Sequence, residues 1–321
     1  MALFSQNGAC SFYYDDAVKA STASGGFTVT GTCTATAFAG DGSALTGISA
    51  AGTGESYVKL NVSGALSDSG SNSFAGYNSG AAIANGATEN TFYGYYAGNK
   101  VTTGDANTFL GAVSGQDVTT GNNNTAVGQD TLRTLSTGSD NTAIGQNALR
   151  LSTTAINNTA IGSVAMQYTT TGQHNTAVGR YSLTSNTTAS FNASLGFSSL
   201  YANTTGGNNT GLGAYALNSS TTASNNTSIG YYSLYTNTTG HSNTAVGANA
   251  LTANTTATNN TAVGFDALKT NTTGQDNVAV GMSPLRANTT GGSNTAINYA
   301  LYANTTGANN VGVGTYALNA N

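Results

Sequence analysis

One spacing constrains this chain more than any other: glycine returns every 17 residues. Gly94, Gly111, Gly128, Gly145, Gly162, Gly179, Gly196, Gly213, Gly230, Gly247, Gly264 and Gly281 keep that step. Asn298 holds the next place in phase, Gly314 follows 16 residues later, and Gly76 precedes Gly94 by 18. Four residues ahead of each position stands an asparagine, from Asn72 and Asn90 through Asn124, Asn141, Asn158 and Asn175 to Asn294 and Asn310. The residue just before is apolar, as at Val127, Ile144, Ile161 and Val178, and Leu usually stands four after. The unit reads N-T-A-[VI]-G-x-x-[AS]-L-x-x-N-T-T-[GA]-x-x and recurs about fifteen times. Self-similarity at a fixed period marks a stacked repeat architecture.

Seventeen residues are too few for a helical-hairpin repeat, which needs about 34. N-T-A-V is rich in strand-forming residues and alternates across a pleat. A-L-x-x-N reads as a second short run, and the remaining residues are turn material. The expected coil is therefore two short strands and two turns. Coils stacked about 4.8 Å apart would make a rod of roughly 70 Å. The expected fold is all-β, a parallel β-solenoid over residues 72–321. Its phased asparagines predict a side-chain ladder. The invariant glycine predicts positive φ or close backbone approach. The other turn alternates Ala155, Gly172, Ala189, Gly206, Ala223, Gly240, Ala257 and Gly274. Ala is accepted there, so that turn does not demand positive φ, and the alternation points to a duplicated 34-residue unit.

Along the first strand the Ala row and the Val row point to opposite faces. Both are apolar and both need cover. One can fill the coil interior, and the other calls for a neighbouring chain. This predicts a homotrimeric rod, with a monomeric solenoid that covers both rows itself as the alternative. The first coils differ: Phe74, Phe92 and Phe109 replace the small residue, Tyr93 joins the apolar row, and Gly98 and Gly115 replace Leu. They read as a wider, aromatic-packed collar. Residues 1–57 lack the period and read as a strand-rich attachment or trimer-organising segment. Asp15, Asp16, Asp41 and Glu55 lie in it, with Lys19. Residues 58–71 read as a transition. Cys10 and Cys33 have neither CxxC nor metal-ligand spacing and read as free buried thiols, with a disulfide between them left open.

Composition narrows the function. Charged residues make up 6% of the chain, against about a quarter in ordinary domains. The eight Lys and Arg residues are scattered, so no nucleic-acid partner is expected. No apolar run approaches the roughly 18 residues of a membrane span, and no membrane insertion is expected. The start, MALFSQNGACSFYYDD, does not read as a secretory signal. Release by lysis, particle assembly or a leaderless route is the expectation. His174 and His241 lie 67 residues apart and read as solvated turn residues. Asp130 and Asp266 share a phase eight coils apart. No serine has a histidine and an acid to activate it, and no two carboxylates are placed for acid/base work. The GGxGxDxUx calcium repeat is missing, and GDGSALTG lacks the lysine of a phosphate loop. The chain is expected to be non-enzymatic, with no catalytic residue, metal or cofactor.

Recognition could lie in the phases that vary. One and two residues after the glycine come Arg180 and Tyr181, Phe197, Tyr215, Tyr231 and Tyr232, Phe265, Tyr299 and Tyr316. Five after come Arg133, Arg150, Tyr201, Tyr235, Lys269 and Arg286, with Tyr302 in the shortened coil. Rings beside amides suit sugar binding, since a ring face covers a pyranose. The alternative is that the rings shield the solenoid edge or pack between chains.

The unit N-T-A-V-G-x-x-A-L-x-A-N-T-T-G-x-N resembles the coil repeat of trimeric autotransporter adhesin heads of the YadA type, which form left-handed parallel β-rolls in a trimer. The 17-residue form looks even more like repeats of tailed-phage fibre proteins. FYYDDAVKASTASGGFTVTGTCTATAFAGDGSALTGI is similar to the strand-rich segment that often precedes such repeats. Autotransporters need a signal peptide and a membrane anchor, and phage fibres of this type often end in a self-cleaving chaperone. Neither ending is read here, and the balance favours a phage fibre. The resemblance implies a virion fibre or spike whose N-terminal segment joins a tail or capsid protein and whose rod meets a host-surface glycan or protein. A bacterial adhesin or matrix fibre is the alternative. An ice-binding solenoid is a third reading, since Thr125, Thr142, Thr159 and Thr176 form a ladder that Thr244 and Thr261 continue, with Ala193, Val278 and Val311 as breaks.

Overall fold

The computed structural model describes residues 72–83 and 86–319, together with the strand backbones at 2–4, 10–14, 17–23 and 26–29. The chain divides into two compact units, Met1–Gly52 and Thr53–Asn321. In the first, β1 (Ala2–Phe4), β2 (Cys10–Tyr14), β3 (Ala17–Ala23) and β4 (Gly26–Val29) form one antiparallel sheet in chain order. The transition expected at 58–71 lies outside the described residues. So do the four acidic residues of the first segment, Cys33, and the side chains of Cys10 and Lys19.

The second unit is an all-β parallel solenoid. Fifteen three-residue strands, from β5 (Ser73–Ala75) to β19 (Val311–Val313), make one sheet in which every neighbour is the next in sequence. Each residue pairs with its own equivalent one coil on, as Thr125 with Thr142, Ala126 with Ala143 and Val127 with Ile144. That register follows from the period: identical coils satisfy their backbones best when stacked without slip.

Each coil has one strand, and the expected second strand over A-L-x-x-N is a run of turns instead. Leu132, Leu149 and Leu183 have φ of 50°, 49° and 51°, and Asp130, Asn147 and Tyr181, two residues earlier, have 56°, 60° and 61°. Left-handed backbone at two positions excludes a strand. Its cost, about 1–2 kcal/mol per residue, is offset at the leucine by burial worth about 1.5–3 kcal/mol, since these leucines are fully buried. The turns also bond from coil to coil: Leu132 N–H donates to Ala148 O at 3.1 Å and Thr134 N–H to Arg150 O at 3.1 Å. Turns therefore ladder as strands do.

The invariant glycine meets both requirements that the sequence raised. Gly145 has φ 124°, and a Cβ there would stand 2.6 Å from the carbonyl carbon of Gly162. Asn298 takes the same place with φ 70°, in the left-handed region that asparagine tolerates. Gly172, Gly206, Gly240 and Gly274 have no left-handed φ, as the acceptance of Ala in that row required. The asparagines form the ladder's rungs. Asn141 Nδ2 donates to Asn124 Oδ1 at 3.0 Å and to Ala155 O at 2.9 Å, and Asn141 N–H donates to Asn124 Oδ1 at 3.1 Å. Asn158 and Asn175 repeat the pattern.

The interior is the strand-centre row, Ala126, Ala143, Ala160 and Ala177, packed with the leucines. In the first coils Phe92 and Phe109 occupy that row, fully buried and stacked with ring centroids 4.9 Å apart. Gly98 stands where Leu would be, and a Cβ on it would lie 2.5 Å from the Phe92 ring. The ring has taken the leucine's space, so the aromatic coils need no widening. A second corner, seven residues after the glycine, changes along the stack. It holds Val101, Val118 and Leu135 early, then Ser152 and Thr169, then Asn186, Asn203, Asn237, Asn254, Asn271 and Asn288, all buried. These later asparagines form a second ladder, as Asn254 Nδ2 to Asn237 Oδ1 at 2.8 Å.

Candidate functional site

Two surfaces stay open on the solenoid. The first is the outer face of the sheet. The residues flanking each strand centre point away from the interior, because side chains alternate along a strand. Ile144, Ile161, Leu195, Leu212, Val280 and Ile297 are exposed there. The threonines of the same strands share that face, Thr176 exposed and Thr125, Thr142 and Thr159 half-buried. The Ala row is thus the covered one and the Val row the uncovered one.

The second surface is the turn that follows the strand. Residues one, two and five after the glycine gather there, and the stack brings rings of successive coils together. Tyr181 meets Phe197 and Tyr201, with centroids 5.9 and 6.2 Å apart. Phe197 meets Tyr215 edge-on at 5.4 Å. Tyr215 stacks on Tyr232 at 4.9 Å, and Tyr232 stands edge-on to Tyr231 at 4.3 Å and Tyr235 at 4.7 Å. Seven rings on four coils make one continuous strip. Tyr215 and Tyr232 sit half-buried within it, while Phe197, Tyr201 and Tyr231 are exposed. A hydrogen bond with Tyr231, then burial and the Tyr231 charge, raise the Tyr232 hydroxyl above its ordinary value of 10.0. At one end Arg180 lies 4.5 Å over the Tyr181 ring and donates to its Oη at 2.8 Å.

Tyr299, Tyr302 and Tyr316 form a separate group, stacked at 4.6 Å and edge-on at 5.1 Å. Beside it Asp266 accepts from Asn249 at 3.0 Å, Lys269 at 3.1 Å and Arg286 at 3.2 Å. Burial alone would raise the Asp266 carboxyl, but those three hydrogen bonds and the Lys269 charge hold it below its ordinary 3.8. The same arrangement recurs eight coils earlier, where Asp130 lies 2.9 Å from Arg133 and 4.0 Å from Arg150. The acids thus neutralise neighbouring cations. Phe265 is exposed and stands apart, with no ring partner among the described residues.

Sequence reasoning missed a third ring group, Tyr77, Tyr95 and Tyr96, with centroids 4.5–5.7 Å apart. These rings stand one or two residues after Gly76 and Gly94, so the phase already marked them. It also missed Phe191, which stacks on His174 at 5.0 Å in the other turn. His241 Nδ1 accepts from Ser224 N–H at 2.9 Å. Among the described residues no group of three or more His, Cys, Asp or Glu could hold a metal ion, and no helix is long and apolar enough to cross a membrane.

These features define a parallel β-solenoid repeat protein with a ladder-bonded interior, an open apolar sheet face and ringed turns. No family model, curated protein or solved structure matches the chain.

Proposed function

We propose that the chain is a structural fibre or spike protein of a phage virion that adsorbs to a host-surface receptor, a glycan. In this reading three chains pack around a common axis, and the segment at residues 1–57 joins a tail or capsid protein. The observation that carries the reading is the Val/Ile row running the length of the sheet, exposed at Ile144, Ile161, Leu195, Leu212, Val280 and Ile297 and half-buried at Val127, Val178, Ile229, Val246 and Val263. Fifteen strands of three residues make a face of about 70 by 10 Å. That is on the order of 700 Å² per chain, divided between two neighbours in a trimer, where a standard two-chain interface buries ~800 Å² per partner. An apolar face this long is best covered by its own copies, because they repeat with the same period. The ringed turns border the face and would stay outside such an assembly.

Light scattering of the native protein tests this first. A mass near three chains is expected, and a clean monomer would sink the trimer. Mass spectrometry of purified virions then separates a virion fibre from a bacterial adhesin, which would be found on cells without virus. A second reading has one observation of its own: threonines flank the apolar row on the open face. That is a candidate ice-binding face if the chain is a monomer, and thermal hysteresis would report it.

A further inference from the structure

We infer that the ring strip from Tyr181 to Tyr235 binds an acidic carbohydrate, with Arg180 taking its carboxylate. The inference rests on the adsorption reading and narrows it to one stretch and one ligand class.

Charge singles out the place. Between Asp140 and Asp266 no Asp or Glu occurs, and Arg180 is the only Lys or Arg between Arg150 and Lys269. The other described cations each face a carboxylate: Lys100 faces Asp117, Arg133 and Arg150 face Asp130, and Lys269 and Arg286 face Asp266. Arg180 has no ion pair and is exposed. Its guanidinium is nonetheless held, by stacking on Tyr181 and by the bond to Tyr181 Oη. A positioned, unpaired guanidinium presents a fork of donors that matches a carboxylate.

The rings supply the rest. Phe197, Tyr201 and Tyr231 are 40, 41 and 54% exposed, the first two in the coil after Arg180's and the last in the third coil on. Within the strip Tyr215 braces Phe197, Tyr232 braces Tyr231, and Tyr181 stands beside Tyr201. Coils rise about 4.8 Å each, so the strip extends roughly 14 Å beyond Arg180. That length takes a short run of pyranose rings lying along the stack, apolar faces against aromatic ones. A nucleic acid would need more cations than one, and an apolar peptide would leave Arg180 unmatched.

The test applies the full-length protein to an array of uronate- and sialate-bearing glycans with their neutral counterparts. Binding to acidic members is expected, falling about tenfold in Arg180→Gln and less in Arg180→Lys, which keeps the charge. Binding should weaken with added salt, and Phe197→Ala with Tyr231→Ala should abolish it. Both positions are exposed, so melting curves should match the parent. Neutral glycans bound through the rings, with Arg180→Gln silent, would overturn the acidic assignment and leave the glycan reading standing. No binding to any glycan would overturn both, while the scattering mass reports on the fibre independently.

Discussion

The coils around Phe92 and Phe109 and the coils from Gly179 onward share a backbone and fill it differently. Early coils pair a ring at the strand centre with glycine across the interior, and later coils pair a small residue there, alanine or in places Ser194, Gly211 and Ser228, with leucine. The early second corner is Val101 and Val118, and the later one is an asparagine ladder. Strand register and the main asparagine ladder pass through both regions unchanged. The backbone ladders thus fix the coil, and the interior needs only conserved volume and satisfied polar groups. Packing of that kind tolerates exchanges made in pairs and penalises those made singly.

The largest expected effect breaks one such pair. Phe109→Ala alone should cost about 3–5 kcal/mol through the cavity it leaves. Gly115→Leu alone should overpack against the Phe109 ring, at about 1–3 kcal/mol. Phe109→Ala with Gly115→Leu recreates a later-type coil, since Leu132 next door already holds φ 50°, and should cost under about 1.5 kcal/mol. Urea unfolding of the four proteins measures the coupling. Additive losses would mean that the two regions do not share one interior volume.

Gly111→Ala and Gly145→Ala should sharpen the comparison from the other side. Both glycines have strongly positive φ, 139° and 124°, against the next coil's backbone. Each change should cost at least about 1–3 kcal/mol by strain, and by similar amounts in the two regions. Thermal melts that differ widely would show that the early coils can shift where the later ones cannot.

Ser220→Asn should stabilise. Ser220 interrupts the second ladder, and both its Oγ and Asn203 Oδ1 are buried without a partner. An asparagine would supply the missing donor, worth about 1 kcal/mol. The same residue at Val118 would face Val101 and Leu135 and should cost about 1–3 kcal/mol as an unsatisfied buried amide. Opposite signs in the two melts are the expected result.

The smallest effect is electrostatic. The folded state holds Asp266 ionised below its ordinary 3.8. Its contribution is therefore present above that value and lost as pH falls through the lower folded one. Its cationic partners are partly exposed, so screening keeps the term small. An acid melt should show a modest late loss that Asp266→Asn removes.

Much of the fold was legible because its signal is repeated. The period gave coil length, parallel stacking and register, and it separated glycine and asparagine from the free phases. The second strand was misread at A-L-x-x-N because leucine in left-handed backbone runs against local preference. That conformation exists only where the next coil accepts the bonds and the interior accepts the side chain. Of the recognition residues, the phases were readable and the grouping was not. Tyr201 and Tyr235 join the strip, Phe265 stands outside it, and Tyr299, Tyr302 and Tyr316 form their own group.

By itself the sequence determined the stack, since 17 residues with one glycine and one asparagine in fixed phase close into one coil and bond to the next. The tertiary structure decided which apolar row is covered, what each coil holds inside, and which rings meet. Those are distances between coils, and a one-dimensional pattern carries phase but not the rotation of each side chain about it.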